Sequence, residues 1–399
     1  MLAKKRIFLI TALLYIFYTV FPLFADTFNI PVWLPSMAAV VVMMGLFPKA
    51  FANMTFYWFL VYALVLFFYL LLGRTLTIGI GSIADSKKIL IEFAFILPAV
   101  SIFCILCYLK DEVLTRQLVN WSLGMLFVSF IVALPLMQQY GSIRAALDEQ
   151  SEDLSVPGLP GYPLMHAYTL FLPVLCYGIK VFGGRKKLWT ALGLLVLCFV
   201  VYDTFVTTSL LLMIAIILFT LLYSEKHKVL AWIISGVVLT TIVIMYKAGV
   251  FISLIDWVMP AFEDTPVAFK LNDLKDSMVQ GQVTGGSITG RMDYHDVSKE
   301  SFFNNPIFGA SRVGGHSSIL DRFGGMGIVA GLPFLMIFIS FIRQIVKQYK
   351  TKMAKAFFWV GIIAGFVFLY NKGLWGCEGW LVYTVLMPMG IYTIENGNF

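Results

Sequence analysis

Apolar runs of about 17 to 25 residues recur along almost the whole 399-residue chain. Each run is long enough to cross a bilayer as an α-helix, because about 20 helical residues span the hydrocarbon layer. Charged residues make up only 13% of the sequence, which is roughly half the fraction found in soluble domains. The sequence therefore predicts an all-α polytopic integral membrane protein, with residues 1–399 forming a single membrane domain.

Twelve transmembrane helices are predicted from the positions of these runs. Most of the connections between them are short, as in a helical bundle whose neighbouring helices run antiparallel. The predicted spans cover residues 7–24, 31–47, 55–72, 89–109, 118–137, 163–182, 188–202, 205–223, 229–246, 318–342, 357–370 and 374–394.

The basic residues indicate which side each connection faces. If the N-terminus is cytoplasmic, 17 of the 29 Lys and Arg residues fall in inner segments. The short outer connections hold only five, namely Arg74, Lys87, Lys88, Arg144 and Lys372. This is the positive-inside pattern, so both termini are expected in the cytoplasm. Nucleic acid is not an expected partner, because no basic patch is interleaved with aromatic residues.

Two outer segments are much longer than the other connections. Residues 138–162 form an acidic segment that ends in a Pro/Gly cluster, and residues 247–317 separate the ninth and tenth predicted spans. Loops of this length within a compact protein are usually functional. The segment 247–317 is therefore the expected catalytic loop.

The long outer loop is predicted to contain two short helices. Residues 249–262, "GVFISLIDWVMPAF", are too few to span and are expected to lie along the membrane interface. Residues 291–303, "RMDYHDVSKESFF", are expected to form a helix that begins near Thr289 and ends at Asn304-Asn305-Pro306. Arg291 at such a helix start, after a Gly-rich lead-in, suits an anion. The alternative is an ordinary surface arginine.

His316 is at the last polar position before the tenth predicted span, and Arg312 precedes it by four residues. If that turn is helical, the two side chains share one face. The alternative is that both anchor the loop at the membrane interface. Gly324, Gly325 and Gly327 follow and predict a close helix contact just inside the membrane.

The order of these features resembles the C-terminal signature of the O-antigen polymerase and O-antigen ligase superfamily. In that family an Arg opens a short outer helix, a Pro-x-x-Gly motif follows, and a His precedes a Gly-containing span. Arg291, Pro306, Gly309, His316 and Gly327 match this order. About a dozen spans and enlarged third and fifth outer loops extend the resemblance, and that loop pattern is typical of the polymerases.

The resemblance implies a GT-C-like membrane glycosyltransferase of the bacterial inner membrane. Its substrate would be an oligosaccharide linked to a polyprenyl diphosphate such as undecaprenyl diphosphate, received from the membrane lipid phase at the outer face. Arg291 would stabilise the leaving diphosphate without a metal or cofactor, and His316 would orient or deprotonate the acceptor hydroxyl. Arg312 and Arg322 would contact the diphosphate or glycan. A protein that regulates chain length is a candidate partner.

The sequence departs from the family pattern at two positions. Where the family often has Ser-Arg near an earlier span, this chain has Ser209-Leu210, so Arg144 is the candidate replacement for that arginine. His316 is followed by Ser317 where the family usually has Asn.

Other polar residues are weaker candidates for the site. Asp293, His295 and Asp296 lie within one turn, where solvation is the simpler interpretation than a cation site, and His295 remains a candidate substrate contact. Glu378 and His166 are expected at the outer ends of spans, where they can line a cavity or reach the interface.

Three functions remain open at this point. The leading hypothesis is a polymerase that joins lipid-linked repeat units of O-antigen, capsule or a similar glycan. A ligase that moves a finished glycan onto a lipid acceptor, as in lipopolysaccharide, would use the same donor. A twelve-span transporter or flippase is the alternative from another class, but its polar residues would be expected near the membrane midplane.

Overall fold

The computed structural model describes residues 1–21, 24, 27–28, 30–31, 33–72, 76–78, 82–84, 86–139, 161–203, 207–224, 226, 228–247, 250–262, 268, 271, 275, 288–310, 312–371 and 376–397. Within these ranges the regular structure is helical apart from one small sheet, and it includes two short 3₁₀ helices, Pro48–Phe51 and Met259–Phe262. The helices are α1 (Leu2–Val20), α2 (Trp33–Leu46), α3 (Met54–Leu71), α4 (Ser86–Leu109), α5 (Glu112–Gln139), α6 (Tyr162–Val181), α7 (Gly184–Asp203), α8 (Thr207–Leu222), α9 (Lys228–Lys247), α10 (Val250–Val258), α11 (Ile288–Asn304), α12 (Ser318–Val346), α13 (Lys352–Asn371), α14 (Cys377–Leu381) and α15 (Met387–Glu395).

Four of the described helices are long and apolar enough to cross a membrane: Glu112–Pro135, Pro163–Val181, Ser318–Val346 and Lys352–Asn371. Four shorter helices are also apolar, namely Trp33–Leu46, Met54–Tyr69, Ala94–Leu109 and Thr208–Leu222. The expectation of a helical protein with helices long and apolar enough to cross a membrane is therefore confirmed. A helix lies at each of the twelve predicted positions, and the crossing of a membrane by all twelve belongs to the proposal below.

The described contacts at one end of the bundle join segments that the predicted alternation places on the same side. Lys5 near the N-terminus forms a 2.6 Å salt bridge with Asp111, which lies between α4 and α5. Asn53 before α3 exchanges hydrogen bonds with Gln344 near the end of α12. All four residues are predicted to be cytoplasmic or close to that face.

The opposite end of the bundle brings together segments that are predicted to be outside. Ser317 at the start of α12 donates a hydrogen bond through Oγ to the carbonyl of Leu369, near the end of α13. The strands β1 (Leu76–Ile78) and β3 (Arg312–Val313) pair in parallel, with Thr77 opposite Arg312. The candidate residues of the long loop are therefore located at this end.

Helix α6 lies at the centre of the bundle and packs against α7, α8, α13, α14 and α15. The surrounding core is rich in aromatic residues, as in the stacked pair of Phe338 on α12 and Trp380 on α14, whose ring centroids lie 5.3 Å apart. A π-helical turn, Val382–Leu386, connects α14 to α15 within the last predicted span. All five cysteines are free thiols.

The small sheet was not expected from the sequence. Strand β1 pairs antiparallel with β2 (Ser82–Ala84) and parallel with β3, so the order is β2-β1-β3. Arg312 belongs to a strand and residues 314–317 are not helical, so the condition under which Arg312 and His316 would share one helical face is not met. The pairing with β1 holds this segment extended.

Two helices differ from their predicted bounds for local reasons. Helix α5 begins at Glu112, six residues before the predicted start, because the Asp111 carboxyl group accepts the Leu114 N–H and caps the helix. Helix α12 is interrupted at Gly327, whose backbone has φ 64° and ψ −166°. Only glycine adopts this conformation readily, so α12 consists of two helical segments that meet at a kink.

Candidate functional site

The predicted short helix of the long loop is present as α11, Ile288–Asn304, and ends before Asn305 and Pro306 as expected. Arg291 lies in its first turn. The described part of Arg291 is its backbone, so its side-chain contacts lie outside the described structure, as does the whole of Arg144. Tyr294 follows Arg291 by three residues and therefore lies on a neighbouring part of the same helix surface.

His316 packs on α11 at Tyr294. The two ring centroids lie 4.5 Å apart and the ring planes are inclined by 37°. The loop backbone approaches just as closely, because a Cβ at Gly314 would lie 2.0 Å from the Tyr294 carbonyl oxygen. Only glycine permits this contact. The half-buried His316 is thereby packed on Tyr294, which follows Arg291 by three residues along α11.

Asp321, in the first turn of α12, holds the loop that carries His316. Its Oδ1 accepts hydrogen bonds from Ser298 Oγ at 2.7 Å and from the Gly315 N–H at 3.3 Å, and its Oδ2 accepts the Ser317 N–H at 3.1 Å. The Ser298 hydroxyl also accepts the Gly314 N–H at 2.9 Å. One buried carboxyl group therefore connects α11, the loop and α12.

Further contacts fix the positions of β3 and α12 against α11. Ser301 Oγ donates a hydrogen bond to the Arg312 carbonyl. A Cβ at Gly324 would lie 2.5 Å from the Ser298 carbonyl oxygen, so the two helices touch through their backbones. The predicted close contact at the glycines of α12 is confirmed here, and its partner is α11.

The Pro306–Gly309 segment fills the break in α12. Ile328 N–H donates to the Pro306 carbonyl at 2.9 Å, and Val329 N–H donates to the Ile307 carbonyl at 3.3 Å. Gly309 has φ +70°, and a Cβ there would lie 2.3 Å from Met326 N. The Pro-x-x-Gly motif therefore supplies backbone partners for amide groups that the helix break leaves without helical acceptors.

Helix α3 supports the same break from the other side. Tyr69 Oη lies 2.9 Å from the carbonyl oxygens of both Phe308 and Met326, which share its single proton. One hydroxyl thus contacts both the loop and the last turn before the kink. This arrangement leaves the loop in a defined position beside α12.

Arg322 is located within the helix packing. It is 3% exposed, its Nε donates to Tyr62 Oη at 3.2 Å, and its Nη1 donates to the Ser318 carbonyl at 3.1 Å. Its guanidinium carbon lies 5.1 Å from the ring centroid of Phe334. These contacts join α12 to α3, so the described role of Arg322 is to stabilise the helix pair that carries the site.

Arg312 and His295 occupy different environments. Arg312 is exposed on β3, where its charge remains accessible to a ligand at that end of the bundle. His295 is 8% exposed, and its ring lies 5.1 Å from that of Tyr370 on α13. The structure therefore places Arg312 near the loop surface and His295 in a helix interface.

Two of the three residues considered as cation ligands on α11, His295 and Asp296, have described side chains. Asp296 is exposed and accepts a 2.8 Å hydrogen bond from Lys299, and this bond raises the pKa of Lys299. The neighbouring His295 is buried on another face of the helix. Within the described ranges no group of three His, Cys, Asp or Glu side chains is arranged to hold a metal ion.

Glu378 lies on α14 and His166 on α6. Glu378 is half-buried in the first turn of α14. His166 is 2% exposed, and its ring centroid lies 4.2 Å from that of Phe368. An apolar pocket between α5, α6 and α7 includes Tyr168 and Phe171 in its lining but none of the candidate residues.

Sequence reasoning missed three residues that shape this site: Tyr294, Ser298 and Asp321. Tyr294 and Ser298 are four residues apart on the predicted short helix, so the sequence predicts that they share one face of it. Asp321 is a charged residue one turn into an apolar span, and an ionisable group in that position is a functional candidate by default.

Two comparisons with known proteins, one against models of protein families and one against curated sequences, give no match to this chain.

Proposed function

We propose that this protein is a polysaccharide polymerase that acts at the outer face of the bacterial cytoplasmic membrane. It transfers a glycan from a polyprenyl-diphosphate-linked donor to a hydroxyl of an acceptor sugar. The proposal is supported by the order of Arg291, Pro306–Gly309, His316 and Gly327 in the sequence. It includes twelve crossings with both termini in the cytoplasm.

The observation that carries this proposal is the contact of His316 with Tyr294, at 4.5 Å between ring centroids. It places an imidazole beside the first turns of α11, the helix whose start holds Arg291. The helix start contributes unpaired N–H groups and the positive end of its dipole, both of which favour an anionic group. An anion-binding element and a candidate base are therefore neighbours.

The reaction breaks the bond between the anomeric carbon and the diphosphate oxygen and forms a bond from that carbon to the acceptor oxygen. Negative charge increases on the leaving polyprenyl diphosphate, where Arg291 stabilises it with help from the exposed Arg312. The acceptor hydroxyl loses its proton to His316. The Tyr294 ring and the loop contacts of Asp321 hold the imidazole in place.

The distribution of polar groups favours surface chemistry over transport. The described cluster of Tyr294, Ser298, His316 and Asp321 lies at one end of the bundle. A transporter site is expected near the midplane between two related halves of the chain.

Deletion of the gene in its host distinguishes the three candidate functions. A polymerase defect leaves single repeat units attached to the final lipid acceptor. Full-length chains that accumulate on the polyprenyl lipid would instead identify a ligase. Repeat units that remain on the cytoplasmic face would identify a flippase, and either of these two results overturns the proposal.

The proposed sidedness is tested with reporter fusions. Fusions after Lys187, Lys228 and Lys355 are expected to report cytoplasm, and fusions after Ser151 and Ser287 are expected to report the outer side. A cytoplasmic reporter after Ser287 contradicts the mechanism, because the helix start with Arg291 would then face the wrong side of the membrane.

A further inference from the structure

Three large apolar side chains are exposed where α11 ends and the next loop begins. Phe303 is 75% exposed, Ile307 57% and Phe308 53%. We refer to these three residues as the apolar lip. Apolar groups exposed together in this way usually mark an interaction surface.

The apolar lip is continuous with an exposed apolar strip of α12. Ile328 is 45% exposed and Leu332 48%, and the two lie one turn apart on the same side of the helix. The Ile328 N–H donates directly to the carbonyl of Pro306, the residue before Ile307. The strip belongs to a helix that is long and apolar enough to cross a membrane, so its exposed apolar residues face lipid.

The length of α12 places the break at Gly327 near the edge of the hydrocarbon layer. The segment from Ile328 to Val346 extends about 28 Å at 1.5 Å per residue, close to the thickness of about 30 Å for the hydrocarbon core. Basic residues follow directly at Lys347 and Lys350 and fix that end of the helix at water. The break, and the lip docked on it, therefore lie at the opposite edge.

The backbone of the lip suits a low-dielectric environment. The carbonyls of Pro306, Ile307 and Phe308 accept hydrogen bonds from Ile328 N, Val329 N and Tyr69 Oη, respectively. The Phe308 N–H donates to Asn305 Oδ1, and the Gly309 N–H donates to the Asn305 carbonyl. An unsatisfied backbone polar group is costly in the hydrocarbon layer, and the pairing of these groups within the protein lowers that cost at the edge of the layer.

We propose that the apolar lip inserts into the acyl chains of the membrane leaflet on the side of α11, and that it anchors the loop containing His316 at the bilayer surface. Asp296, Lys299 and Glu300 are exposed and precede Phe303 by one to two turns on the same face of α11. The proposed orientation therefore brings the C-terminal end of α11 to the bilayer and leaves its earlier turns in water. The occupant of the surface is bulk phospholipid, without a requirement for a polyprenyl lipid or a protein partner.

Site-directed spin labelling tests this insertion directly. The variants Phe303→Cys, Ile307→Cys and Phe308→Cys are labelled in the full-length protein and reconstituted into vesicles of phospholipid alone. Native Cys107 and Cys198, which are partly exposed, are replaced by Ala, and protein without an added Cys measures residual labelling. The measurement is the collision rate of each label with oxygen, which partitions into lipid, relative to a water-soluble nickel chelate.

Two matched labels define the scale. Leu332→Cys reports the lipid-facing strip, and Glu300→Cys reports the exposed polar side of α11. We expect the oxygen-to-nickel ratio of the lip labels to lie closer to that of the Leu332→Cys label. A ratio closer to that of the Glu300→Cys label overturns the proposal. Labels shielded from both reagents also overturn it, because a second copy or another protein segment would then cover the lip.

Phe303 is the most exposed residue of the lip, so its replacement by Cys should disturb the packing least. Phe303→Cys alone therefore decides the outcome if the Ile307→Cys and Phe308→Cys variants fold poorly. The readout involves no transfer reaction. A water-exposed lip therefore contradicts the insertion while leaving the proposed polymerase activity intact, and an inactive protein with a lipid-exposed lip does the reverse.

Discussion

Ser298 on α11 donates a 2.7 Å hydrogen bond from Oγ to Oδ1 of Asp321 on α12. Both side chains are buried, at 1% and 6% exposure. The same carboxyl group accepts two backbone N–H groups from the loop between β3 and α12. This pair therefore determines the position of the loop residue His316 relative to α11.

We expect Asp321→Asn to loosen this loop. The amide keeps the shape of the carboxyl group but replaces one acceptor by an N–H₂ group, which then faces a donor. The loss of one buried hydrogen bond to a carboxylate costs about 1.5 to 3 kcal/mol. The purified variant should lose its monodisperse gel-filtration peak at a temperature lower by a few degrees, and its transfer rate should fall.

Asp296→Asn is the matched control for this prediction. Asp296 lies on α11 but is exposed, and its described partner is the surface residue Lys299. Exposed ion pairs of this kind contribute about 0 to 1 kcal/mol, so this variant should behave as the unchanged protein. Equal effects from the two substitutions would show that Asp321 does not organise the loop.

The helix break predicts a strong effect at Gly327. Alanine there must adopt φ near +64°, and its Cβ would lie 2.1 Å from the Ile307 carbonyl oxygen. Backbone strain of this kind alone costs about 1 to 3 kcal/mol. Gly327→Ala should therefore destabilise the solubilised protein strongly in a thermal gel-filtration assay.

Gly124→Ala provides the comparison. Gly124 lies inside α5, and a Cβ there has nothing within 4 Å. Alanine is favoured over glycine in a helix by about 1 kcal/mol, so thermal stability should stay the same or rise. A stable, active Gly327→Ala variant would mean that α12 can close the break and that the Pro306–Gly309 contact is dispensable.

The helix positions could be predicted from the sequence because the signals that mark a helix are local. Long apolar runs predict a helix at each span position, and Asn304-Asn305-Pro306 marks the end of α11 without knowledge of the rest of the chain. The close contact at Gly324 could also be predicted from the sequence. Its partner on α11 could not be deduced, because that contact depends on how two distant segments pack.

The sheet and the helix break depend on distant parts of the chain. Strands of two or three residues, such as Arg312–Val313, carry too little periodicity to be recognised. Their pairing with Leu76–Ile78 depends on the bundle, which brings the ends of α3 and α11 together. Gly327 could be predicted as a contact residue, but its non-helical backbone requires the carbonyls of Pro306 and Ile307.

The proposed chemistry also predicts the response to metal removal. Arg291 and Arg312 provide the positive charge that a divalent cation supplies in other transferases. Purified protein should therefore retain its transfer activity in the presence of a strong chelator. Complete loss of activity, with recovery on addition of Mg²⁺ or Mn²⁺, would contradict the proposed role of the arginines.

The last prediction concerns Arg291 and His316 directly. Arg291→Lys keeps the charge but loses the two-pronged hydrogen bonding that matches a diphosphate. We expect transfer to fall by about a hundredfold or more, the effect of losing one preorganised donor to a developing charge. Arg343→Lys, an exposed change near the opposite end of α12, should leave transfer unchanged.

In the proposed mechanism His316 acts on the acceptor, so its substitution should have a different signature. His316→Gln should slow transfer by roughly 10² to 10⁴, as for a lost general base, while binding of the lipid-linked donor stays nearly intact. In cells, inserted Arg291→Lys and His316→Gln proteins should both leave single, unpolymerised repeat units. If the two side chains only anchor the loop at the interface, both variants will give near-normal chain lengths, and that result would remove these residues from the active site.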